Sequence, residues 1–478
     1  MACLDDTHKY NESLRLLERK LVFNVGELKK IAAKCLRQPA SEVKEFSKLA
    51  EGGFNRVFQI TMKDGSQPAK LRLWISCSNP VGAEFMIMEK LPGRPIGDMW
   101  FDLTEDQRLK IISEVVQAEA KLSRIHLPAC GSVYYEHDLP ADTSRAVITP
   151  TSNIKGLCIG PHTNLRWWEK ERDSMEIHRG PHFTPIQLLS CIAAKESAWL
   201  AAFGRPRLPF ERAYRECLNY EKSRPEEHIE SLDKPILRHP DLQPHNIFVS
   251  ENLDIVGIID WQHCSVLPQF LAAGIPKYFQ NCRDEASLSF LPPKLPENLA
   301  EMDDEERAEA LERFRQRHLH FFYLGFTQRF NEAHFEILDR RTDLLTRKTF
   351  SHAGEPWQGN NIPLKADIIY ITRIWEEILN ENGYSGAAIP LCPVSFTELD
   401  VQRTINILLQ QEDMDTQLKK IRDAIGISRD GWASNAEYDQ VVQLAKLIKM
   451  QALASLDSEE EKEMTLKHWP VDDFDEEG

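Results

Sequence analysis

The sequence predicts an α+β fold in which a small antiparallel sheet precedes a larger, mainly helical part. Three strand-like segments at residues 43–49, 54–62 and 69–74 are separated by short glycine-containing segments, which is typical of antiparallel strands joined by turns. From Thr104 to His126 the apolar side chains follow helical spacing, with Thr104 as the expected N-cap. Further helices are predicted at residues 10–36, 187–220, 305–333, 364–380, 397–409, 415–425 and 436–453. Residues 134–181, which include Trp167 and Trp168, are expected to be irregular.

A second feature is a hairpin near the middle of the chain. Two apolar runs, residues 247–249 and 255–259, flank a short polar segment with the composition of a turn. Asn246 precedes the first run and Asp260 follows the second, so both lie at the open end of the hairpin. Asp241 lies five residues before Asn246, on the loop that leads into it. Two carboxylates and an amide without a thiolate are the hard oxygen ligands that suit Mg²⁺.

The same stretch carries a family resemblance. HPDLQPHN followed by IIDW resembles the aminoglycoside phosphotransferase and choline kinase branch of the kinase-like fold, whose pattern is H-x-D-x-x-x-x-N followed by I-D-W. The segments EGGFNRVF, SNPVGAEFMIMEKLPGRPIGDMWFDL, CIGP and AGIPK look like fungal members of the phosphotransferase family. The resemblance extends from about residue 10 to about residue 411. It implies a protein kinase-like two-lobed fold with a small antiparallel β-sheet N-lobe, a larger mainly helical C-lobe, and ATP in the cleft.

The resemblance also implies roles for the hairpin residues. Asp241 would accept the proton of an attacking hydroxyl, and Asn246 and Asp260 would be the Mg²⁺ ligands, in a transfer of the ATP γ-phosphoryl group. A protein kinase needs an activation segment ending in A-P-E after the metal-binding Asp, and none follows Asp260. The expected substrate is therefore a small molecule with a hydroxyl group.

Other nucleotide contacts are expected in the N-terminal sheet. Gly52 and Gly53, followed by Asn55, form a turn whose backbone N–H groups would approach the ATP phosphates. Arg72 is the first candidate for the cation that meets the α- and β-phosphates, and Lys70 is the second. Either cation is equally well explained as an exposed charge on a strand.

The hinge of the family corresponds to residues 88–91. There the backbone groups of Glu89 and Lys90 would meet the adenine edge.

The sequence also departs from the family in two places. Only eight residues, 75–82, separate the third strand from the next, and they contain Asn79-Pro80. Proline lacks an N–H donor and disfavours helix at the residue before it, so the helix whose Glu pairs with the phosphate-binding cation is missing. A second contraction precedes the catalytic loop, at residues 232–235. The chain is then either a phosphotransferase impaired by internal deletions, real or from a faulty gene model, or a catalytically inactive kinase-like nucleotide-binding or scaffold protein linked to mitochondrial maintenance.

A zinc site is the other interpretation of the central stretch. His239, His245, His263 and Cys264 are possible ligands, but their spacing fits no usual zinc pattern. The resemblance instead implies that His239 is a structural residue that braces the loop, as the first His of the motif does in kinases.

Composition excludes several other classes. A net charge of −16 disfavours nucleic-acid binding, and no apolar run approaches the roughly 18 residues that a membrane helix needs. Ten cysteines without a C-x-x-C pair indicate reduced thiols in an intracellular compartment. The first residues show no transit peptide, so the mitochondrion is expected from the resemblance alone, with the cytoplasm as the alternative. The expected organisation is a helical extension (1–40), a shortened N-lobe (41–92), a helical C-lobe (93–455) and an acidic disordered tail (456–478), with the oligomeric state left open.

Overall fold

A computed structural model describes most of the chain. The described residues are 22–51, 56–64, 73–75, 79–88, 90–150, 155–203, 234–282, 284–339, 341–354, 362–381, 390–426, 438–456 and 458–467. The chain divides into two units, one of residues 1–90 with 409–478 and the other of residues 91–408. The boundary between residues 90 and 91 lies close to residue 92, where the end of the N-lobe was expected. The residues after 408 were expected in the helical lobe, but they group with the N-terminal residues instead.

The first helix among the described residues of the first unit is α1, Val25–Cys35. Its N-cap is the expected one, because the Asn24 side chain accepts a hydrogen bond from the Glu27 N–H at 3.1 Å. Four strands follow: β1 (Val43–Glu51), β2 (Arg56–Met62), β3 (Leu73–Ile75) and β4 (Phe85–Ile87). β1 pairs antiparallel with β2, and β3 pairs antiparallel with β4.

The connection between β3 and β4 contains a turn. The Asn79 side-chain oxygen accepts from the N–H groups of Val81 and Gly82, at 2.7 and 3.2 Å. Gly82 has φ +77°, a left-handed conformation that glycine adopts without strain. Within the described part of this connection, residues 79–84, the chain forms no helix. The turn therefore lies at the position of the helix that, in the family, carries the Glu paired with the phosphate-binding cation.

The second unit opens with a strand, a helix, a small sheet and another helix. These elements are β5 (Arg94–Pro95), α2 (Glu105–Ser123), β6 (Ser132–Tyr135), β7 (Ala146–Val147), β8 (Leu157–Gly160) and α3 (Pro185–Phe203). Thr104 and Gln107 form a capping box at the start of α2, so the predicted cap is confirmed. The expectation that residues 134–181 are irregular is wrong in part, because β6, β8 and β7 form an antiparallel sheet in that order. The strands have only two to four residues, which is too short for alternation to be visible.

The predicted central hairpin is confirmed. The strands of this region are β9 (Pro235–Leu237), β10 (Ile247–Val249), β11 (Ile255–Ile258) and β12 (Val266–Pro268). β10 pairs antiparallel with β11, with Ile247 opposite Ile258, and β5 pairs with the other edge of β10. β12 pairs with β9, so the chain before the hairpin lies beside the chain after it.

The regular elements described after β12 are all helices. The helices are α4 (Gln269–Ala272), α5 (Glu285–Leu288), α6 (Asp304–Phe330), α7 (Glu332–Asp339), α8 (Arg341–Gly354), α9 (Ile362–Arg373), α10 (Trp375–Glu381), α11 (Glu398–Ile425), α12 (Tyr438–Ala454) and α13 (Glu459–Lys467). We expected two helices where α11 runs without a break, and this continuous helix passes from one unit into the other. The expected disorder of the acidic tail is wrong for α13. No helix among the described residues is long and apolar enough to cross a membrane.

The main core of the second unit lies between α2, α6 and the hairpin. Apolar side chains of α2, including Ile112 and Val115, pack in one buried cluster with Leu319 of α6 and Ile247 of β10. Burial of this kind is worth roughly 1.5–3 kcal/mol for each large apolar side chain. The hairpin is therefore fixed to α2 and α6 by the core of the unit.

Gly93 determines how closely β5 approaches β10. It has φ +86°, and a Cβ added there would lie 2.1 Å from the Val249 carbonyl oxygen. A side chain at this position therefore meets both backbone strain and a clash with backbone.

We expect Gly93→Ala to lower the free energy of unfolding by at least about 1–2 kcal/mol, because of this strain. Gly325, inside α6 with nothing within 4 Å of an added Cβ, is the matched control. Gly325→Ala should instead stabilise the protein by about 0.5–1 kcal/mol, since glycine weakens a helix interior. Urea unfolding of both variants checks the pair, and equal effects would contradict the assignment of Gly93.

Candidate functional site

His239 connects the loop before the hairpin to the end of β11. Its Nδ1 accepts a hydrogen bond from the Asp241 N–H at 3.1 Å, and its Nε2 donates to the Ile259 carbonyl at 2.8 Å. The ring also meets the Trp261 ring edge-on, with 4.7 Å between centroids. Because Nδ1 accepts, the imidazole is neutral with its proton on Nε2. The structural role that we inferred for His239 fits these contacts.

Asn246 contacts both the loop that carries Asp241 and the end of β11. It ends a short 3₁₀ turn, Pro244–Asn246, and is 93% buried. Its Nδ2 donates to the Asp241 carbonyl at 2.8 Å and lies 3.4 Å from the Asp241 Oδ2. Its own carbonyl accepts from the Ile259 N–H at 2.9 Å. Asn246 is therefore in direct contact with Asp241 and with the residue before Asp260.

Asp260 follows directly in an unusual backbone conformation. Its φ is +64°, which costs a non-glycine residue on the order of 1–3 kcal/mol and recurs at functional sites. Burial lowers the pKa of His239, whereas its hydrogen bond to Ile259 and the charges of Asp241 and Asp260 oppose that shift. Both carboxylates therefore lie near the same imidazole. The three residues that the hairpin pattern singled out, Asp241, Asn246 and Asp260, are brought together around His239.

The free oxygens of this group fit Mg²⁺. Among the described residues, no donor contacts the Asn246 Oδ1, and the exposed Asp260 carboxylate has no hydrogen bond or ion pair. The Asp241 Oδ2 accepts from the Gln243 Nε2 at 2.6 Å, which leaves its Oδ1 without a partner in the described chain. Carboxylate and amide oxygens are the donors that Mg²⁺ prefers. The donor set therefore agrees with the metal that the sequence implies.

The zinc interpretation of this stretch finds no support in the described residues. His239 uses both ring nitrogens for backbone contacts, as above, and the Cys264 Sγ donates to the Arg238 carbonyl at 3.1 Å. Burial raises the pKa of Cys264 to about 12, so this residue is a thiol rather than a thiolate ligand. Within the described chain, these residues form no cluster of three ligand atoms.

A buried ionic network behind the loop is a feature that sequence reasoning missed. The Arg238 Nε donates to the Glu119 carboxylate at 3.1 Å, and the Arg238 Nη2 donates to the Tyr323 hydroxyl at 3.1 Å. The Tyr323 hydroxyl in turn donates to the Glu119 Oε2 at 2.6 Å. Burial and the Glu119 charge raise the pKa of Tyr323 well above its ordinary value, so the hydroxyl keeps its proton. The network ties the residue before His239 to α2 and α6.

One signal could have revealed Glu119. It falls on the apolar face of α2, at helical spacing from Ile112, Val115 and Val116. A charged residue at such a position is buried only when it is paired.

The expected nucleotide contacts of the N-terminal sheet lie mostly outside the described residues. This applies to Gly52, Gly53, Asn55, Lys70, Arg72 and Glu89. Lys90 is described: its side chain is exposed, and its Nζ donates to the Gln59 Oε1 at 3.2 Å in the same unit.

Comparisons with known proteins support the class of protein that this site indicates. Residues 37–269 match the model of the phosphotransferase enzyme family. The described part of this region contains Asp241, Asn246 and Asp260. The resemblance that the sequence indicated is thereby confirmed, and the mixture of helices and small sheets agrees with the kinase-like fold of that family.

Similar fungal proteins give more detail. The chain is 24% identical to a subtelomeric hrmA-associated cluster protein of Aspergillus fumigatus, over 90% of this chain and 97% of that relative. It is 22% identical to the mitochondrial protein altered inheritance of mitochondria protein 9 of Kluyveromyces lactis, over 78% of this chain and 64% of the relative. The Saccharomyces cerevisiae protein of the same name is 19% identical, over 79% and 65%.

A macrolide 2'-phosphotransferase type I is similar among solved structures, with 15% identity over 66% of this chain and 96% of the other. The TM-score of that superposition is 0.19, so it supports no inference about the fold.

We expect Glu119→Gln to lower the free energy of unfolding by about 3–5 kcal/mol, because it leaves the Arg238 charge buried without its counter-charge. Lys110→Ala is the matched control, since it breaks the exposed pair of Lys110 with Asp254. That control should cost less than about 1 kcal/mol. Urea unfolding measures both, and a Glu119 effect as small as the control would show that the network contributes little.

Proposed function

We propose that this chain is an ATP-dependent phosphotransferase that transfers the γ-phosphoryl group to a hydroxyl of a small molecule. The observation that supports this most directly is the convergence of Asp241, Asn246 and Asp260 around His239. The family match over residues 37–269 supports the same class of reaction. Phosphoryl transfer depends mainly on positioning and electrostatics, which such a braced group of oxygens provides.

Asp241 is the proposed base. Gln243 and Asn246 fix its Oδ2 from two sides, at 2.6 and 3.4 Å. Because Oδ1 has no partner in the described chain and the residue is exposed, Oδ1 is the atom that would accept the proton of the substrate hydroxyl.

Asn246 and Asp260 are the proposed Mg²⁺ ligands, through the Asn246 Oδ1 and the Asp260 carboxylate. A bound Mg²⁺ supplies positive charge that neutralises phosphate oxygens. The hydrogen bond from the Asn246 Nδ2 to the Asp241 carbonyl turns the amide so that its oxygen is free. Burial of Asn246 keeps that orientation fixed.

The remaining nucleotide contacts are proposed from the resemblance. Gly52, Gly53 and Asn55 lie in the sequence that joins the antiparallel strands β1 and β2, where they would contribute N–H groups to the phosphates. Arg72 would supply the phosphate cation, and the backbone of Glu89 and Lys90 would meet the adenine.

We propose the mitochondrion as the site of action, with the cytoplasm as the alternative. The support comes from relatives whose names place them in mitochondria.

A second candidate is a catalytically inactive kinase-like protein that binds nucleotide or acts as a scaffold. The turn at residues 79–82 favours it, because a turn there supplies no Glu to orient a phosphate-binding cation. Misplacing a phosphate contact by about 1 Å costs on the order of 100-fold in rate. We therefore propose weak or absent turnover beside an intact metal site.

Thermal unfolding with and without ATP and Mg²⁺ tests the nucleotide site. At 100 times its dissociation constant, the nucleotide should add about 2.7 kcal/mol to the free energy of unfolding. This gain should require Mg²⁺ and should be lost in Asp260→Asn, which removes a ligand charge. A gain that persists without Mg²⁺, or in Asp260→Asn, would contradict the assigned metal ligands.

Asp241→Asn separates chemistry from binding. We expect it to keep the stabilisation by ATP and Mg²⁺, and to lower any hydroxyl-dependent ATP turnover by about 10²–10⁴-fold, since a general base is lost. Turnover of the unaltered chain should fall below the ordinary kinase range of about 1–100 s⁻¹. Turnover within that range would refute the impaired-enzyme proposal, and unchanged turnover in Asp241→Asn would refute the assigned base.

A further inference from the structure

Two histidines and a cysteine meet at the start of α3, away from the phosphotransferase residues in sequence. Each of His178, His182 and Cys191 offers one ligand atom, and the three atoms lie within 4.8 Å of one another. The Cys191 Sγ is 3.9 Å from the His178 Nδ1, and the rings of His178 and His182 have centroids 4.9 Å apart. Among the described residues this is the one such cluster of three potential metal ligands.

His182 is fully buried, and its ring nitrogens are unsatisfied. Within the described chain, neither Nδ1 nor Nε2 has a hydrogen-bond partner. Its backbone is fixed by two hydrogen bonds of 2.8 Å with Cys130, and its ring packs against Trp167, with 5.8 Å between centroids. A buried polar group without a partner costs roughly 1–3 kcal/mol, so a histidine held in this way requires an explanation.

The chemistry of the three donors indicates zinc. Imidazole nitrogen and thiolate sulfur suit Zn²⁺, whereas Mg²⁺ prefers oxygen. Tetrahedral zinc with bonds of about 2.3 Å to sulfur and 2.0–2.1 Å to nitrogen places these two atoms about 3.5 Å apart. The observed 3.9 Å between Cys191 and His178 therefore needs only a small side-chain adjustment.

We propose that His178, His182 and Cys191 bind Zn²⁺ and leave a fourth position open. A cavity of about 430 Å³ adjoins them, lined among others by Ser144, Gln187, His178 and Cys191, so water or a small ligand can take that position. Binding forms a Zn–S bond and releases the thiol proton of Cys191 to solvent. The site uses no residue of the Asp241 group, and its existence does not depend on the proposed phosphotransferase activity.

Cobalt substitution of the full-length chain tests the proposal. Co²⁺ bound by this set should show a thiolate-to-metal charge-transfer band and tetrahedral d–d bands, and Zn²⁺ should displace it with one equivalent. Cys191→Ser should abolish the charge-transfer band. His178→Asn changes an exposed side chain, so the fold is expected to remain intact. The variant should weaken Zn²⁺ binding by at least about 10- to 100-fold, because loss of a residue that merely supports a metal ligand already has an effect of that size.

Two controls locate the metal. Cys282→Ser removes an exposed thiol elsewhere and should leave the cobalt spectrum unchanged, and Asp260→Asn should also leave it unchanged. No charge-transfer band in the unaltered chain, or a band that survives Cys191→Ser, would overturn the proposal. Cobalt d–d bands that are lost in Asp260→Asn but kept in His178→Asn would place the metal at the Asp241 group and would also overturn the proposal.

Discussion

The interaction on which the candidate site depends most is the buried Glu119 carboxylate that Arg238 and Tyr323 share. Arg238 directly precedes His239, and His239 sets both the Asp241 backbone and the end of β11. Glu119 therefore holds Arg238, and the next residue, His239, contacts the proposed base Asp241. Because α2 and α6 carry Glu119 and Tyr323 and pack together in the main core, the position of the loop that carries Asp241 is fixed by core packing rather than by the loop itself.

The hairpin and its three oxygen-bearing residues could be predicted because their relation is local. Asn246 and Asp260 flank two short strands, and the register that places Ile247 opposite Ile258 brings their neighbours Asn246 and Ile259 together. Turn composition and apolar runs are sufficient to fix such a register. The bracing role of His239 was implied by the family resemblance of the same stretch.

The ionic network and the small sheet could not be predicted, for two physical reasons. Glu119 and Arg238 are 119 residues apart, and only the packed core brings them together. The strands β6, β7 and β8 have only two to four residues, which is at or below the shortest run over which alternation is counted. Composition alone also misled in the acidic segment of α13, where Lys462 pairs with Glu459 one helical turn away and supports a helix that net charge argued against.

The two candidate metal sites of the second unit differ in the hardness of their donors, and this difference makes them chemically independent. The Asp241 group offers only oxygens, from the exposed Asp241 and Asp260 and the buried Asn246, and Glu119 and Tyr323 hold Arg238 behind it. The His178 group offers nitrogen and sulfur, and its innermost ligand, His182, is fixed through backbone hydrogen bonds to Cys130 rather than through side-chain hydrogen bonds. Mg²⁺, a hard cation, is therefore expected to prefer the Asp241 group, whereas Zn²⁺, a borderline cation, is expected to prefer the His178 group. Since the His178 group shares no side chain with the Asp241 group, the proposed zinc site would remain even if the proposed phosphotransferase activity is weak or absent.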